Sequence, residues 1–135
     1  MDFAELLKGV PDFLIYLGVG FGLLIAFVTV YTLITPLDEF RHIRSGNVAA
    51  CLSLGGAAIG FLLPLAIVMA HHGKIANVAM WGVIALIVQL FAFFIAWAIM
   101  PGLPRSIGEG KVSAGAFAGI VALAIGILNA AAQTE

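Results

Sequence analysis

Long apolar stretches separated by short polar ones dominate the pattern of this sequence. No Asp, Glu, Lys or Arg lies between Asp12 and Asp38, a gap of 25 residues, and three further gaps of 29, 30 and 23 residues follow. A helix needs about 20 apolar residues to cross a hydrocarbon core of about 30 Å. Each gap is long enough for one crossing and too short for two. The pattern therefore predicts an all-α integral membrane fold of four transmembrane helices, near residues 13–35, 48–70, 77–99 and 112–132.

The composition agrees with a membrane-embedded chain. Of the 135 residues, 63% are apolar and only 10% are charged, whereas a soluble domain carries about 25% charged residues. The net charge of −1 argues against a nucleic-acid partner, which would need a dense basic patch. The single cysteine, Cys51, excludes an intramolecular disulfide and a Cys-rich metal site. The partner that the composition predicts is the lipid bilayer.

The connections between the spans predict the orientation. The connections 36–47 and 100–111 carry four Lys or Arg side chains, whereas the second connection and the amino-terminal tail carry one each. Because Lys and Arg are retained on the cytoplasmic side, we expect both of these connections to be cytoplasmic and both termini periplasmic. The margin is small, and the opposite topology is the alternative.

The residues before the first span have an apolar face. Side chains between Phe3 and Val10 fall on one side of a helix, which predicts an interfacial segment at residues 1–12. Pro11 is then expected to redirect the chain into the membrane. A frayed terminus is the alternative.

The two halves of the chain resemble each other. A proline-led loop occurs twice, at Pro36 and Pro101, and each is followed by a Gly-x-Val-(Ala/Ser)-Ala segment. Because each unit contains two spans, both units enter the membrane from the same side. This pattern predicts two parallel two-helix repeats, at residues 13–73 and 74–135, related by a pseudo-twofold axis along the membrane normal.

Small residues at helical spacing predict how the spans pack. Membrane helices associate through close backbone approach, because lipid tails are as apolar as the side chains. We therefore expect the second and fourth spans to form the centre of the bundle. The helix-packing candidates are Gly56, Gly60, Gly115, Gly119, Ala122 and Gly126.

The first and third spans carry the bulky side chains. Phe21, Phe27 and Tyr31 in the first span, and Phe91 and Phe93 in the third, are expected to face lipid. The third span also has a seam of small or polar residues, which we expect to face the inner helices. The members of this seam are Gly82, Ala85, Gln89, Ala92 and Ala96.

No Asp, Glu, His, Lys or Arg lies inside any predicted span. Proton relays, ion-coupled transporters and intramembrane proteases usually need one, so we expect a non-enzymatic protein without a metal or cofactor. His71 and His72 follow the second span, but adjacent residues do not share a helix face. We interpret them as interfacial polar residues, with metal binding or pH sensing as the alternative.

Two amides are expected to point into the bundle, because an amide in hydrocarbon must find a partner. Gln89 and Asn129 either form interhelical hydrogen bonds or line a pore or substrate cavity. Pro64 leaves the carbonyl of Gly60 without its helical donor, which predicts a bend or a functional kink.

The first basic connection predicts a short amphipathic helix. Thr35 is expected to cap a helix that begins at Pro36, with acidic residues in its first turn and basic residues toward its end. Together with the second basic connection, it offers a surface for a cytoplasmic partner. The candidate residues are Asp38, Glu39, Arg41, Arg44 and Arg105.

As a set, these motifs resemble the YjfL-like small inner-membrane proteins of bacteria, from about residue 13 to the end. The matching segments are Ile34-Thr35-Pro36-Leu37-Asp38-Glu39, Asn47-Val48-Ala49-Ala50, Ile59-Gly60-Phe61 with Pro64-Leu65, Trp81-Gly82 with Gln89-Leu90, Met100-Pro101-Gly102-Leu103, Ala114-Gly115-Ala116-Phe117 and Gly126-Ile127-Leu128-Asn129-Ala130-Ala131. The resemblance implies four helices from two repeats in the inner membrane. It also implies a role in membrane integrity or stress, because relatives are often encoded beside phage-shock-type membrane-remodelling proteins. It supplies no catalytic residues.

Two functions therefore remain open. The first is a non-enzymatic membrane protein that forms homo-oligomers and acts in membrane integrity or stress through a cytoplasmic membrane-stress protein. The alternative is an oligomeric small channel or permeability element for ions or small solutes, lined by Gly/Ala-rich helices with Gln89 and Asn129. An enzyme is the least supported class, because no nucleophile–base pair or metal cluster can be assembled from these residues.

Overall fold

The computed structural model describes residues 2–71 and 74–133, and it is all-α over these residues. Its helices are α1 (Phe3–Ile34), α2 (Glu39–Arg44), α3 (Val48–Ala70), α4 (Ile75–Ile99), α5 (Leu103–Gly108) and α6 (Val112–Ala132). Helices α1, α3, α4 and α6 are long and apolar enough to cross a membrane. The fold of four transmembrane helices predicted from the charge gaps is confirmed.

Helix α1 is longer than the first predicted span. The Asp2 side chain caps it by accepting a hydrogen bond from the Glu5 N–H at 2.9 Å, and the helix then continues through Pro11. Pro11 therefore does not interrupt the helix, and the predicted change of direction there stays a prediction. Pro11 removes the hydrogen bond to the carbonyl of Leu7, a residue on the exposed surface, where water or lipid headgroups can replace the missing donor. The interfacial placement of residues 1–12 stays a prediction.

Helices α3 and α6 share the most extensive contact in the bundle. The contact is made by backbone: a Cβ added at Gly126 would lie 2.5 Å from the Cα and carbonyl oxygen of Gly60. Gly56 lies against Gly119 in the same way, and Gly115 lies against Ala49. Since only glycine permits this approach, the glycines set the distance between the two helices.

The Gly60 carbonyl has a second role in this contact. Pro64 lies inside α3 and cannot donate the hydrogen bond that this carbonyl would otherwise accept. Because Gly126 has no side chain, the backbone of α6 comes directly against the Gly60 oxygen and covers it. The proline and the two glycines therefore belong to one packing arrangement.

Helix α1 is held to the bundle by an aromatic cluster. Phe27 stacks on Phe61 of α3 with ring centroids 4.4 Å apart, and the Tyr31 ring packs edge-on to Phe93 of α4 at 6.1 Å. Phe27, Tyr31 and Phe93 are all buried, so their predicted position facing lipid is wrong. They bury each other, because aromatic rings gain stability from such contacts. Phe91 is 64% exposed, as predicted.

Helix α4 packs against both inner helices. Its predicted inward seam, from Gly82 to Ala96, is buried. The two halves of the chain show the same order of a long helix, a short helix and a long helix. A duplication would produce this order, and the repeat itself stays a prediction.

Candidate functional site

The two short helices lie at one end of the bundle, and we call residues 36–47 and 100–111 the α2/α5 face. Asn47 connects its two parts. The Asn47 Oδ1 atom caps α3 by accepting from the Ala50 N–H at 3.1 Å, and its Nδ2 donates to the Ile107 carbonyl at 2.8 Å. One side chain thus fixes the first connection against the second.

Glycines make the turns of this face possible. Gly46 and Gly110 stand one residue before the N-caps of α3 and α6, with φ values of +90° and +82°. This is the left-handed region that side chains disfavour. Both connections therefore enter the membrane through the same kind of turn.

Helix α2 begins three residues later than expected. Its N-cap is Asp38, whose Oδ1 accepts from the Arg41 N–H at 3.4 Å, and the predicted cap at Thr35 is wrong. Thr35 instead ends α1. Its hydroxyl oxygen lies 2.9 Å from the Tyr31 carbonyl and 2.5 Å from Glu39 Oε1.

The Glu39 carboxyl is buried, with 1% of its surface exposed. Burial raises its pKa from the usual 4.5 to about 7, whereas the Thr35 hydrogen bond acts in the opposite direction. The Thr35 hydroxyl has one proton and can donate to only one of these two oxygens. When the Glu39 carboxyl is protonated, its O–H donates to Thr35 Oγ1, and the Thr35 hydroxyl can then donate to the Tyr31 carbonyl. Among the described residues, Glu39 Oε2 has no hydrogen-bond partner.

The assignment of Glu39 to an exposed partner surface is therefore wrong. With a pKa of about 7, the carboxyl is about half protonated at neutral pH, and its neutral form can be buried at modest cost. Burial alternates from residue 35 to residue 40, where Thr35, Leu37 and Glu39 are buried and their neighbours are exposed. The sequence carries no signal for this alternation, because the charged Glu39 is buried and the apolar residue after it is exposed. Asp38, Arg41, Arg44 and Arg105, the other four candidates, are exposed.

A cleft of about 510 Å³ opens between α2 and α5. Its lining residues are Pro36, Leu37, Asp38, Arg41, His42, Trp97, Gly102, Pro104, Arg105 and Gly108. Beside it, Glu109 forms one ion pair with Arg105 at 3.0 Å and a second with Lys111 at 3.7 Å. The α2/α5 face as a whole carries four Lys or Arg side chains and two exposed carboxylates, so cations are in excess.

The two intramembrane amides lie in different places. Gln89 is 1% exposed, and its Nε2 donates to the Ala122 carbonyl in α6 at 3.1 Å. Asn129 is half-buried and lies two helical turns beyond Ala122, about 10 Å along the helix axis. The structure therefore does not bring Gln89 and Asn129 together.

Of the two adjacent histidines, the structure describes His71. His71 ends α3, and its ring Nδ1 lies 2.8 Å from the Ile67 carbonyl, while His72 lies outside the described residues. Within residues 2–71 and 74–133, no group of three potential metal ligands is present.

Known proteins resemble this chain along most of its length. A family model described as Domain of Unknown Function (DUF350) matches residues 5–133. The UPF0719 inner membrane protein YjfL of Escherichia coli (strain K12) is 36% identical over 130 residues, covering 96% of this chain and 98% of that protein. The UPF0719 transmembrane protein YshE of Bacillus subtilis (strain 168) is 28% identical over 80 residues, 59% of this chain and 60% of that protein. No solved structure matches. The resemblance to YjfL-like proteins is confirmed.

Proposed function

Because this chain belongs to the DUF350 family and is an integral inner-membrane protein like its relatives, we propose that it is a non-catalytic, self-associating membrane component. In this proposal the α2/α5 face binds a cytoplasmic protein of the membrane-stress response. The observation that supports it is the exposure of Arg41, Arg44 and Arg105 on a face that Asn47 holds together.

The charge of this face favours an acidic partner. Its four cations outnumber its two exposed carboxylates, and complementary charge speeds association and selects the partner. The same excess of Lys and Arg favours a cytoplasmic position, with both termini in the periplasm. Since the face is built on short helices that pack against α3 and α6, a partner would meet a preformed surface.

The function is tested by complementation of a strain that lacks this chain. Arg44→Glu should lose protection of the membrane potential under envelope stress, because it reverses a charge of the partner surface. Lys74→Glu makes the same change at an exposed residue beyond the opposite end of α3 and should protect like the wild type. Full protection by Arg44→Glu, with both variants at wild-type levels in the membrane, would contradict partner binding.

The orientation has its own test. In a Cys51→Ala background, a membrane-impermeant thiol reagent added to intact spheroplasts should label Lys74→Cys and leave Ser45→Cys unmodified. Both positions are exposed, so lysis should make both reactive. Labelling of Ser45→Cys before lysis would reverse the proposed topology.

Self-association is proposed to use the outer side of the α3/α6 seam. A groove of about 500 Å³ lies there, lined by small and apolar residues that include Cys51, Gly55, Ala116 and Ile120. Small residues let a helix of a second copy approach closely. Because Cys51 is exposed, mild oxidation in native membranes should produce a disulfide-linked dimer. In a Cys51→Ala background, Phe21→Cys on the outer surface of α1 should not, and equal dimer yields from both would contradict this interface.

The channel alternative has less support. The closest contacts of α3 and α6 are backbone to backbone, and the Gln89 amide already donates to Ala122. A channel would therefore have to form between copies. Solute flux through protein-loaded liposomes that changes with Gln89→Leu would favour this alternative over partner binding.

A further inference from the structure

The cleft between α2 and α5 lies where the membrane spans end. Trp97 stands two residues before the end of α4, and Pro36 stands two residues after the end of α1. Both line the cleft. At this level a bilayer changes from hydrocarbon to headgroups, and tryptophan is enriched there.

The lining changes from apolar to charged. Trp97, Pro36 and Leu37 lie on the side of the spans, and Arg41 and Arg105 lie on the short helices. Trp97 packs against Phe93 and Phe94 with ring centroids 6.2 Å apart, so the apolar side is firmly packed. The volume of about 510 Å³ falls within the range of small-molecule sites, about 300–1,000 Å³.

The charges around the cleft favour an anion. The Nε–H of Arg105 donates to Glu109, but a guanidinium has five N–H donors, so this bond does not use them all. Lys111 also pairs with Glu109, so the Glu109 carboxylate is shared between two cations. Asp38 also lines the cleft, and its Oδ1 accepts from the Arg41 backbone N–H. This carboxylate weakens anion binding, and the cations of the face outnumber it and Glu109 two to one.

We propose that this cleft binds the headgroup of an anionic phospholipid. Arg41 and Arg105 hold the phosphate, and the glycerol and first acyl carbons lie against Trp97. Basic pockets at the ends of membrane helices recognise lipid phosphates in this way. A soluble anion would gain nothing from the apolar side of the cleft, whereas a lipid uses both sides. The inference goes beyond partner docking and holds without it.

The test uses Trp97 as the reporter in a Trp81→Phe background. The purified protein is placed in phosphatidylcholine liposomes. A fraction of the lipid is replaced by brominated phosphatidylglycerol in one sample and by brominated phosphatidylcholine in the other, each with its bromine near the headgroup. The brominated lipid that occupies the cleft quenches Trp97. Two arginines near the membrane surface, weakened by Asp38, should give a preference of about tenfold for phosphatidylglycerol.

Two sets of variants locate the preference. Arg41→Gln combined with Arg105→Gln should bring the ratio of Trp97 quenching by the two brominated lipids close to one. Arg44→Gln removes one positive charge from α2, as Arg41→Gln does, but Arg44 does not line the cleft, so most of the preference should remain. Trp97→Phe in the wild-type background leaves Trp81, which lies toward the other end of α4. Quenching of Trp81 should not differ between the two brominated lipids.

Three results would overturn the proposal: a ratio near one at Trp97, an equal loss in Arg44→Gln and the double variant, or loss of the preference in millimolar inorganic phosphate. The last result would mean that the cleft binds a soluble anion instead of a lipid. The liposomes contain no cytoplasmic protein, so a failure here leaves the partner proposal standing.

Discussion

Replacing Gly56 by alanine places a methyl group against the backbone of α6. Its Cβ would lie 2.5 Å from the Gly119 carbonyl oxygen and 2.8 Å from the carbonyl carbon. Ordinary contact needs 3.4–4 Å, so α3 and α6 must separate by about 1 Å, since neither backbone can turn aside. Overpacking of this kind costs about 1–3 kcal/mol.

Gly55 provides the matched control in the same helix. A Cβ there meets nothing within 4 Å, so Gly55→Ala should not destabilise the protein and should change its stability by the helix-propensity difference alone. Helix propensity favours alanine over glycine by about 0.5–1 kcal/mol, and it acts equally on both variants. The difference between the two neighbours therefore isolates the contact with α6.

The measurement is equilibrium unfolding in mixed micelles by titration with sodium dodecyl sulfate, followed by tryptophan fluorescence. Gly56→Ala should unfold at a clearly lower detergent fraction than the wild type, and Gly55→Ala should unfold at the wild-type fraction or slightly above it. Equal midpoints for the two variants would refute the close approach of α3 and α6.

Three further predictions use the same unfolding titration. Gln89→Leu removes the hydrogen bond to Ala122 and should cost about 0.6–2 kcal/mol; a stability equal to the wild type would mean that the bond contributes nothing net. Asn47→Ala loses the cap of α3 and the bond to Ile107 and should cost about 1–2 kcal/mol, whereas Ser45→Ala, at an exposed position, should cost much less. Burial raises the pKa of Glu39 to about 7, so the folded protein keeps a proton that the unfolded chain releases. Stability should then fall as the pH rises from about 4.5 through about 7, by at most about 1.4 kcal/mol per pH unit, and Glu39→Gln should remove most of this slope.

The sequence was sufficient for the spans because charge is excluded from hydrocarbon. The uncharged stretch that begins after Asp12 predicts a crossing without any knowledge of how the helices pack. Each of the four predicted crossings appears as a long helix. The spacing of small residues similarly predicted an inner pair of helices. Gly56 and Gly126 lie where the backbones of two helices come too close for a side chain.

The direction in which side chains point on the α2/α5 face was harder to predict. An acidic residue in a basic loop is expected to face water, and the inward position of Glu39 depends on the Thr35 hydroxyl and on the neutral form of the carboxyl. The aromatic residues pose the same problem. Phe21 and Phe27 lie in one helix and have the same hydropathy, and only the position of Phe61 on α3 determines that Phe27 is buried.

The α3/α6 contact also bears on how the chain is made. Residues that touch across it, such as Gly60 and Gly126, are far apart in the order of synthesis, and α6 is the last of the four spans to leave the ribosome. Until then the glycine face of α3 lacks the backbone of α6 against which it packs, and the Gln89 amide lacks its acceptor at Ala122. The packing of the bundle can therefore be completed only after the last of the four spans is made. A chain that stalls before α6 would present the inner surface of α3 to the machinery that removes incomplete membrane proteins.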